Sequence, residues 1–270
     1  MPELPEVETT IRGLALYLDG AQIARVQLNR ANLRRPFPLD LVQTLTGAHI
    51  TGLSRRAKYG LIHTNRGRVM VFHLGMSGRW RCEPEAPEKH DHLVLETTAG
   101  HILALNDPRR FGSVDLVDAA AISAWPPFAA LGPEPLGDEF TNLHLAQAFA
   151  TRAAPVKPLL LDQRIVAGLG NIYVCEALHR AKIRPDTPAN SLKKSQIARL
   201  VPIIKQVLTE AIAAGGSTIK DYAQPNGDLG YFAKEWRVYG REGQPCRCGG
   251  TIARFTQGGR STFWCATCQR

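Results

Sequence analysis

The segment Ala124-Trp-Pro-Pro-Phe-Ala-Ala-Leu-Gly-Pro-Glu-Pro-Leu-Gly-Asp138 divides this chain of 270 residues into two parts with different sequence patterns. Its four prolines and two glycines are too closely spaced for a regular helix or strand, so the segment predicts a linker. We therefore expect an N-terminal domain over residues 1–123, a linker region over 124–150, and a C-terminal part with its own fold.

The part before the linker has the pattern of a β-rich domain that begins with a helix. Between Pro5 and about residue 17, Val7, Ile11 and Leu14 recur at the spacing of one helical face. From residue 22 to about residue 118, runs of alternating apolar and polar residues are typical of strands with one buried face. This half predicts a β-sandwich fronted by a helix.

The part after the linker has a helical pattern. One face of a long helix is marked by Ile197, Leu200, Val201, Ile204, Val207, Leu208 and Ala211. Pro202 lies inside this pattern and is expected to kink the helix or delay its start, because proline lacks the backbone N–H. We expect a helical domain over residues 151–240 and a small separate unit over 241–270. The whole chain therefore predicts an α+β fold.

Four of the six cysteines lie in the last small unit, in two closely spaced pairs. Sixteen residues separate the pairs, which allows them to meet at the base of a β-hairpin and present four thiolates to one zinc ion. A hairpin with reduced, metal-free thiols is the alternative. Cys82 and Cys175 lie apart from this cluster and are expected to pack in cores. The predicted zinc ligands are Cys246, Cys248, Cys265 and Cys268.

The charge balance favours a polyanionic partner. Lys and Arg number 33 against 24 Asp and Glu, which gives a formal net charge of +9. Nucleic acid is the expected partner, ahead of a membrane surface, although a generally basic, solvated surface has the same composition. No stretch approaches the roughly 20 apolar residues that span a bilayer, and acids stand where a signal peptide is basic. We expect a soluble intracellular protein.

The N-terminus carries a candidate nucleophile. Removal of Met1 would leave Pro2 with a secondary amine, which can attack a sugar carbon and form a charged imine. Glu3 beside it is a carboxylate that could transfer protons. A proline tolerated near a helix start gives the same sequence, so Pro2 alone does not distinguish an enzyme from an ordinary helix.

Several turns combine glycine with basic or apolar side chains. Gly168-Leu-Gly-Asn171 resembles a turn that opens a helix with Asn171 at its cap, where backbone N–H groups bind phosphate. Lys157 could add a charge there. Three strings in the first part carry Lys58, Met76, Arg109 and Phe111. Apolar wedges on loops can open a base step in DNA, whereas a plain turn, surface charges and core side chains are the alternative interpretation.

Together these strings resemble the bacterial formamidopyrimidine-DNA glycosylases, which excise 8-oxoguanine and ring-opened purines. The resemblance covers essentially the whole chain. It rests on Pro-Glu-Leu-Pro-Glu-Val-Glu-Thr at 2–9, Arg-Arg-Ala-Lys-Tyr at 55–59, His-Leu-Gly-Met-Ser-Gly at 73–78, Lys-His-Asp-His at 89–92, Asp-Pro-Arg-Arg-Phe-Gly at 107–112, Gly-Leu-Gly-Asn-Ile-Tyr at 168–173 and the cysteine hairpin. One departure is Cys246-x-Cys248, where the family normally has two intervening residues.

The resemblance implies a bifunctional DNA glycosylase and AP lyase. Pro2 would attack the sugar C1′ and release the base, which leaves an iminium bound to DNA. Glu3 would shuttle protons during opening of the sugar ring, and Lys58 would assist the β- and δ-eliminations that cut the strand on both sides. Glu6 is implied to support this site.

The resemblance also implies how the partner is held, a double-stranded DNA that contains oxidised bases or abasic sites. Met76, Arg109 and Phe111 would form the intercalation loop, which fills the gap and holds the opposite base. The implied phosphate contacts are His90, Lys157, Asn171 and Arg260. A helix–two-turn–helix module would precede the zinc hairpin, and the loop between Ser217 and Tyr231 would close over the flipped base. The family further implies a monomer that works in the bacterial cytoplasm at the nucleoid, away from membranes.

Two rival interpretations remain at the level of sequence. An endonuclease VIII-like enzyme would prefer oxidised pyrimidines, although Leu4 and the loop of Arg109 and Phe111 favour the purine-specific branch. A non-catalytic zinc protein that binds DNA would keep the hairpin and the basic surface but would give Pro2 no role.

Overall fold

The computed structural model describes residues 2–217 and 231–270. The chain forms two compact units, one from Met1–Ala129 with Ile212–Ala233 and the other from Ala130–Ala211 with Lys234–Arg270. The backbone thus leaves the first unit near the proline-rich segment and returns to it for a short stretch after the long helix.

The described part of the first unit contains two antiparallel sheets, three α-helices and a 3₁₀ helix at Ala119–Ala124. The helices are α1 (Leu4–Leu18), α2 (Leu41–Leu45) and α3 (Pro126–Ala129). The strands are β1 (Ile23–Leu28), β2 (Ile50–Arg56), β3 (Tyr59–Thr64), β4 (Arg68–His73), β5 (Arg79–Cys82), β6 (Asp91–Thr97), β7 (Ile102–Asn106) and β8 (Ser113–Asp118). One sheet has the order β1-β6-β7-β5 and the other the order β2-β3-β4-β8.

One hydrophobic core joins α1 to both sheets. The helix buries Leu4, Val7, Ile11, Leu14 and Leu18, the three- and four-residue spacing of a single helical face. Apolar side chains from both sheets belong to the same buried cluster. Full burial of one such side chain contributes about 1.5–3 kcal/mol, so this face fixes α1 firmly. The predicted sandwich fronted by a helix is confirmed.

The second unit is mainly helical and ends in a β-hairpin. Its elements are α4 (Asn142–Phe149), α5 (Val156–Leu161), α6 (Asn171–Arg180), α7 (Lys194–Ala213), β9 (Ile252–Gln257) and β10 (Arg260–Cys265). The predicted α+β class is therefore confirmed. α4 lies inside the region 124–150, where the sequence predicts a linker. Pro202 does not delay the start of α7, because the helix begins at Lys194 and runs through the proline to Ala213.

Helices α5 and α6 are joined by turns over residues 162–170. The side-chain amide of Gln163 holds the connecting turns, because its Nε2 donates to the carbonyls of Leu161 and Leu169 at 3.0 and 2.9 Å. Its Oε1 accepts from the backbone N–H of Gly168 at 2.8 Å. α6 is buried from Ile172 to His179, so the first residue of this helix is held in a fixed place.

No helix within residues 2–217 and 231–270 combines the length and the apolar character needed to cross a membrane.

Candidate functional site

The N-terminal residues form a buried carboxylate cluster at the start of α1. Glu3 is the N-cap of the helix, and its backbone N–H donates to Glu6 Oε2 at 2.8 Å. The other oxygen of Glu6 accepts from the backbone N–H of Ser217 at 2.8 Å. Pro2 is buried, and Glu3 and Glu6 are 2% and 1% exposed. The structure therefore brings Pro2, Glu3 and Glu6 together, next to the positive end of a helix dipole.

Lys58 lies in a tight turn between β2 and β3 and is also buried. The residue before it, Ala57, has a φ of +52°, a conformation that is uncommon for a residue with a side chain. Arg55 holds this turn, because its Nη1 donates to the Ala57 carbonyl at 2.9 Å and its Nε pairs with Glu8 on α1 at 3.1 Å. The turn that carries Lys58 is thereby tied to the helix that begins beside Pro2.

The surroundings of Lys58 carry an excess of positive charge. His73, the last residue of β4, has a pKa lowered to about 4 by burial and then by the charges of Lys58, Arg34 and Arg35. Its Nδ1 accepts the Gly75 backbone N–H at 3.0 Å, as expected for a neutral ring. The charges of Lys58, Arg34 and Arg35 therefore add to the effect of burial in keeping this ring neutral.

The intercalation residues predicted from the sequence lie together on two adjacent turns, residues 74–78 and 107–112, which are called the wedge turns below. Met76 and Phe111 are 39% and 43% exposed, although both are apolar. The guanidinium carbon of Arg109 lies 4.8 Å from the centre of the Phe111 ring. A cleft of about 700 Å³ runs beside them and is also lined by Arg34 and His73. Two exposed wedges and a cation beside a basic cleft match the requirements for opening a base step.

Gly75 explains how the two turns approach each other so closely. Its φ is +61°, and a Cβ at this position would lie 2.3 Å from the carbonyl carbon of Phe111. A side chain here would therefore collide with the backbone of the opposite turn. The wedge depends on a glycine at this point.

His90 belongs to the same part of the first unit. It lies in the loop before β6 and is partly buried. Its carbonyl accepts the backbone N–H of Asp107 at 3.0 Å, so its loop is joined to the segment that carries Arg109 and Phe111.

The remaining predicted phosphate contacts converge in the second unit. Lys157 Nζ donates to Thr262 Oγ1 at 2.7 Å and to the Ser261 carbonyl at 3.2 Å. Asn171 Nδ2 donates to the same Ser261 carbonyl at 2.9 Å. Arg260, the residue before Ser261, is exposed at the start of β10 after the hairpin turn. The side chains of Lys157 and Asn171 therefore meet at Ser261, the residue after Arg260. The N-cap of α6 is Gly170 and not Asn171 as predicted.

The four cysteines predicted as zinc ligands form one cluster. All four sulfur atoms lie within 4.8 Å of one another. The shortened first pair closes in a turn in which the Cys246 N–H donates to the Gly250 carbonyl at 2.7 Å. A Cβ on Gly250 would lie 3.0 Å from Cys265 Sγ, so the absence of a side chain makes room for the cluster. Four thiolates in this arrangement fit the tetrahedral preference of zinc.

Four further residues at these sites were not predicted from the sequence. His179 on α6 places its Nε2 3.3 Å from Cys246 Sγ and 3.6 Å from Cys268 Sγ, as an outer partner of zinc ligands does. The Tyr239 hydroxyl lies 3.5 Å from Asn171 Nδ2. Ser77 and Asp107 form a buried contact between the two wedge turns. Of these four residues, only Ser77 and Asp107 could have been found from the sequence. Each lies within a quoted string that also carries a predicted intercalation residue.

Three family models match the chain, one after another. The formamidopyrimidine-DNA glycosylase N-terminal domain matches residues 1–114, and the H2TH domain of formamidopyrimidine-DNA glycosylase matches 131–223. A zinc finger found in FPG and IleRS matches 243–270. The chain belongs to the formamidopyrimidine-DNA glycosylase family. It is an enzyme of DNA repair, a glycosylase with AP lyase activity, and its finger binds one structural zinc.

Relatives from bacteria support the same assignment over the full length. The formamidopyrimidine-DNA glycosylase of Novosphingobium aromaticivorans is 67% identical over 270 residues, and that of Rhizorhabdus wittichii is 64% identical. Each alignment covers 100% of both chains. These names belong to the formamidopyrimidine branch and not to an endonuclease VIII-like enzyme.

Solved structures of the family share the fold. A variant of the Lactococcus lactis FPG protein bound to DNA that contains Fapy-dG has a TM-score of 0.93 at 36% identity, with 100% of both chains covered. The same protein bound to DNA with an abasic site also has a TM-score of 0.93. The MutM (FPG) protein of Thermus thermophilus has a TM-score of 0.90 at 39% identity, over 99% of this chain and 98% of that one.

One predicted element lies outside the described residues. The sequence predicts a loop between Ser217 and Tyr231 that closes over the flipped base, and residues 218–230 are not described. The two residues that flank it pair with each other as an antiparallel bridge. This bridge lies next to the bond between Ser217 and Glu6.

Proposed function

We propose that this glycosylase excises oxidised purines, 8-oxoguanine and formamidopyrimidines, from duplex DNA, with Pro2 as the covalent nucleophile and strand cleavage by β,δ-elimination. The observation that carries the proposal is the burial of Pro2 beside Glu3 and Glu6 at the start of α1. These two acids cap the first turn of α1 and hold the backbone of Ser217. They also provide what an amine nucleophile requires, carboxylates that can accept a proton and return it.

The first step uses the Pro2 nitrogen after Met1 has been removed. Its lone pair forms the bond to the sugar C1′ as the glycosidic bond breaks, and the base leaves with that electron pair and takes up a proton. A free α-amine has a pKa of about 8, so most of it is protonated at neutral pH. Burial and the positive end of the α1 dipole favour the neutral, nucleophilic amine, whereas an ionised Glu3 favours its protonated form.

The next steps divide between two acids and one lysine. Glu3 delivers a proton to the ring oxygen of the sugar as the iminium forms, and later accepts one. Glu6 positions Glu3 through the 2.8 Å bond to its backbone N–H. Lys58, held in its turn by Arg55, assists the two eliminations, in which the 3′ phosphate and then the 5′ phosphate leave. Water then hydrolyses the imine and frees Pro2.

DNA is held by wedges and by phosphate contacts. Met76 and Phe111 enter the base stack, and Arg109 hydrogen-bonds the base that has lost its partner. Phosphates are bound by His90 in the first unit and by Lys157, Asn171 and Arg260 in the second. The shared contacts of Lys157 and Asn171 with Ser261 support this, because they fix the strand on which Arg260 stands.

Borohydride trapping tests this function. The protein is incubated with a duplex that contains 8-oxoguanine opposite cytosine, and borohydride reduces the imine to a stable adduct. We expect an adduct whose DNA maps to the N-terminal peptide, and much less adduct with thymine glycol in the same sequence. Binding without an adduct contradicts covalent catalysis, and a preference for thymine glycol contradicts the assignment to oxidised purines.

A further inference from the structure

Ser77 and Asp107 form a buried clamp between the two wedge turns. The Ser77 hydroxyl donates to Asp107 Oδ1 at 2.6 Å, and the two side chains are 3% and 0% exposed. The same hydroxyl accepts the backbone N–H of Arg109 at 3.2 Å. A single oxygen atom therefore connects the residue after Met76 to the backbone of Arg109.

Asp107 fixes its side of the clamp with every polar group that it has. Oδ2 accepts the N–H of Gly112 at 2.8 Å, which closes the turn that contains Arg109 and Phe111. Its backbone N–H donates to the His90 carbonyl at 3.0 Å, and its own carbonyl lies 3.0 Å from His92 Nε2. A buried carboxylate with all of these partners cannot move without breaking several bonds.

The clamp lies where small displacements have the largest effect on base extrusion. Taking a base out of the stack costs a few kcal/mol, which the wedge residues have to offset by filling the space that opens. The groups of a functional site must be held within about 0.5 Å of the positions in which they act. Met76 is bonded to Ser77, and Arg109 is held by it, so the clamp sets the distance between the two sides of the wedge.

We propose that Ser77, held by Asp107, is a positioning residue for the base-extrusion step. It acts through Met76 and Arg109 and touches neither the sugar nor the base. The inference rests on the proposed function and adds a step to it, because it separates extrusion of the base from the chemistry at Pro2. Loss of the clamp should slow excision of a stacked base far more than cleavage at a site that has no base.

Two duplexes of identical sequence separate the two steps. One contains 8-oxoguanine opposite cytosine, and the other an abasic site opposite the same cytosine. Single-turnover rates are measured for the full-length protein, for Ser77→Ala and for Ser54→Ala. Ser54 is the matched control, because it makes one side-chain hydrogen bond of 2.7 Å, to His63, on β2 of the same unit. A 2-aminopurine next to the lesion reports unstacking by its fluorescence.

We expect Ser77→Ala to slow base excision about tenfold, which corresponds to about 1.4 kcal/mol, and to delay the 2-aminopurine signal equally. Cleavage at the abasic site should change less than about twofold, as should both rates of Ser54→Ala. Asp107→Asn should show the same selective loss, because the side-chain NH₂ of the asparagine would replace the oxygen that accepts the Gly112 N–H.

Equal losses on the two duplexes, or no loss on either, would overturn the clamp while leaving the proposed function standing. A wild-type protein that cleaves neither duplex would overturn the proposed function and the clamp together. The melting temperatures of Ser77→Ala, Ser54→Ala and Asp107→Asn are measured together with the rates. We expect each to lie within a few degrees of the wild-type value. A selective loss in a variant that melts normally supports the proposal, and a selective loss equally present in Ser54→Ala contradicts it.

Discussion

Glu6 is a single residue on which two parts of the candidate site depend. One oxygen accepts the N–H of Glu3 and the other accepts the N–H of Ser217, each at 2.8 Å. A carboxylate is the side chain that can accept on both sides at once. The neutral amide of the same shape has one acceptor and would face the second N–H with its own NH₂ group.

Glu6→Gln should therefore slow imine formation. We expect single-turnover excision to fall by about 10- to 100-fold, because a buried N–H left unsatisfied costs about 1–3 kcal/mol and displaces Glu3. The matched control is Glu85→Gln, the same change at an exposed position. Equal rates for the two variants would show that Glu6 does not organise the N-terminus.

His73 makes the stability of the free protein depend on pH. Its pKa is lowered to about 4 in the folded state, by burial first and then by Lys58, Arg34 and Arg35, against 6.5 in the unfolded chain. Between these values the unfolded chain binds more protons, so stability is full above pH 6.5 and is lost as the pH falls towards 4.

His73→Gln should remove this part of the pH dependence. From pH 7 to pH 4.5 we expect the free energy of unfolding of the wild type to fall by about 2–3 kcal/mol more than that of the variant. Urea unfolding at the two pH values measures it. His63 and His179 also have lowered pKa values but are present in both proteins, so the difference isolates His73. An equal loss of the free energy of unfolding in the wild type and in His73→Gln would contradict the assignment of this pH dependence to His73.

At the scale of elements, the contact between the two wedge turns depends on Gly75. Gly20 provides a control with nearly the same backbone, because its φ is +73° against +61° at Gly75, and nothing lies within 4 Å of a Cβ built on it. At Gly75 the added carbon would meet the backbone of Phe111 and Gly112 at 2.3 and 2.5 Å.

Gly20→Ala should therefore cost about 1 kcal/mol, the penalty of a left-handed conformation alone. Gly75→Ala should cost at least about 2 kcal/mol more, because the opposite turn has to move. Urea unfolding of the two variants gives the difference directly. Similar free energies of unfolding for the two variants would mean that the turns are not in firm contact.

The elements that the sequence predicts well are those whose signal is local. The buried residues of α1 recur every three to four positions, and two closely spaced cysteine pairs are typical of a zinc-binding hairpin. The late helix start that Pro202 suggested is wrong, because burial of the face around Ile197, Leu200 and Ile204 outweighs the loss of one backbone hydrogen bond. Local patterns are sufficient where the partners of an element are its own neighbours.

Contacts between distant positions of the chain carry no such signal. Lys157 and Thr262 are separated by 105 residues, and Ser77 and Asp107 by 30. The periodicity of apolar residues and the residue types of turns do not predict which loops contact each other in the folded chain. The residues that we propose to carry the chemistry could be named from the sequence, whereas residues that hold neighbouring groups, such as Asp107 and His179, required the structure.

At the scale of the whole molecule, a net charge of +9 predicts DNA binding that weakens steeply with salt. Each phosphate contact that is lost should lower the slope of log affinity against log salt by about 0.9. Arg260→Ala should therefore flatten the slope by about one unit and weaken binding to every sequence similarly. The control is Arg12→Ala, a 64% exposed arginine paired with Glu8. An unchanged slope for Arg260→Ala would exclude this phosphate contact.

Covalent catalysis by Pro2 depends on the state of the chain terminus. While Met1 is attached, the Pro2 nitrogen is an amide and has no lone pair for attack on C1′. The decisive measurement is the intact mass after borohydride trapping on a duplex with 8-oxoguanine, for protein with Met1 removed and for protein that keeps it. Affinity for an uncleavable abasic duplex is measured in parallel.

We expect an adduct through Pro2 in the processed protein. When Met1 is retained, we expect binding with neither an adduct nor strand cleavage, which is how catalysis by the Pro2 amine is tested. An adduct of equal yield in the Met1-retaining protein, or one that maps to Lys58, would contradict it.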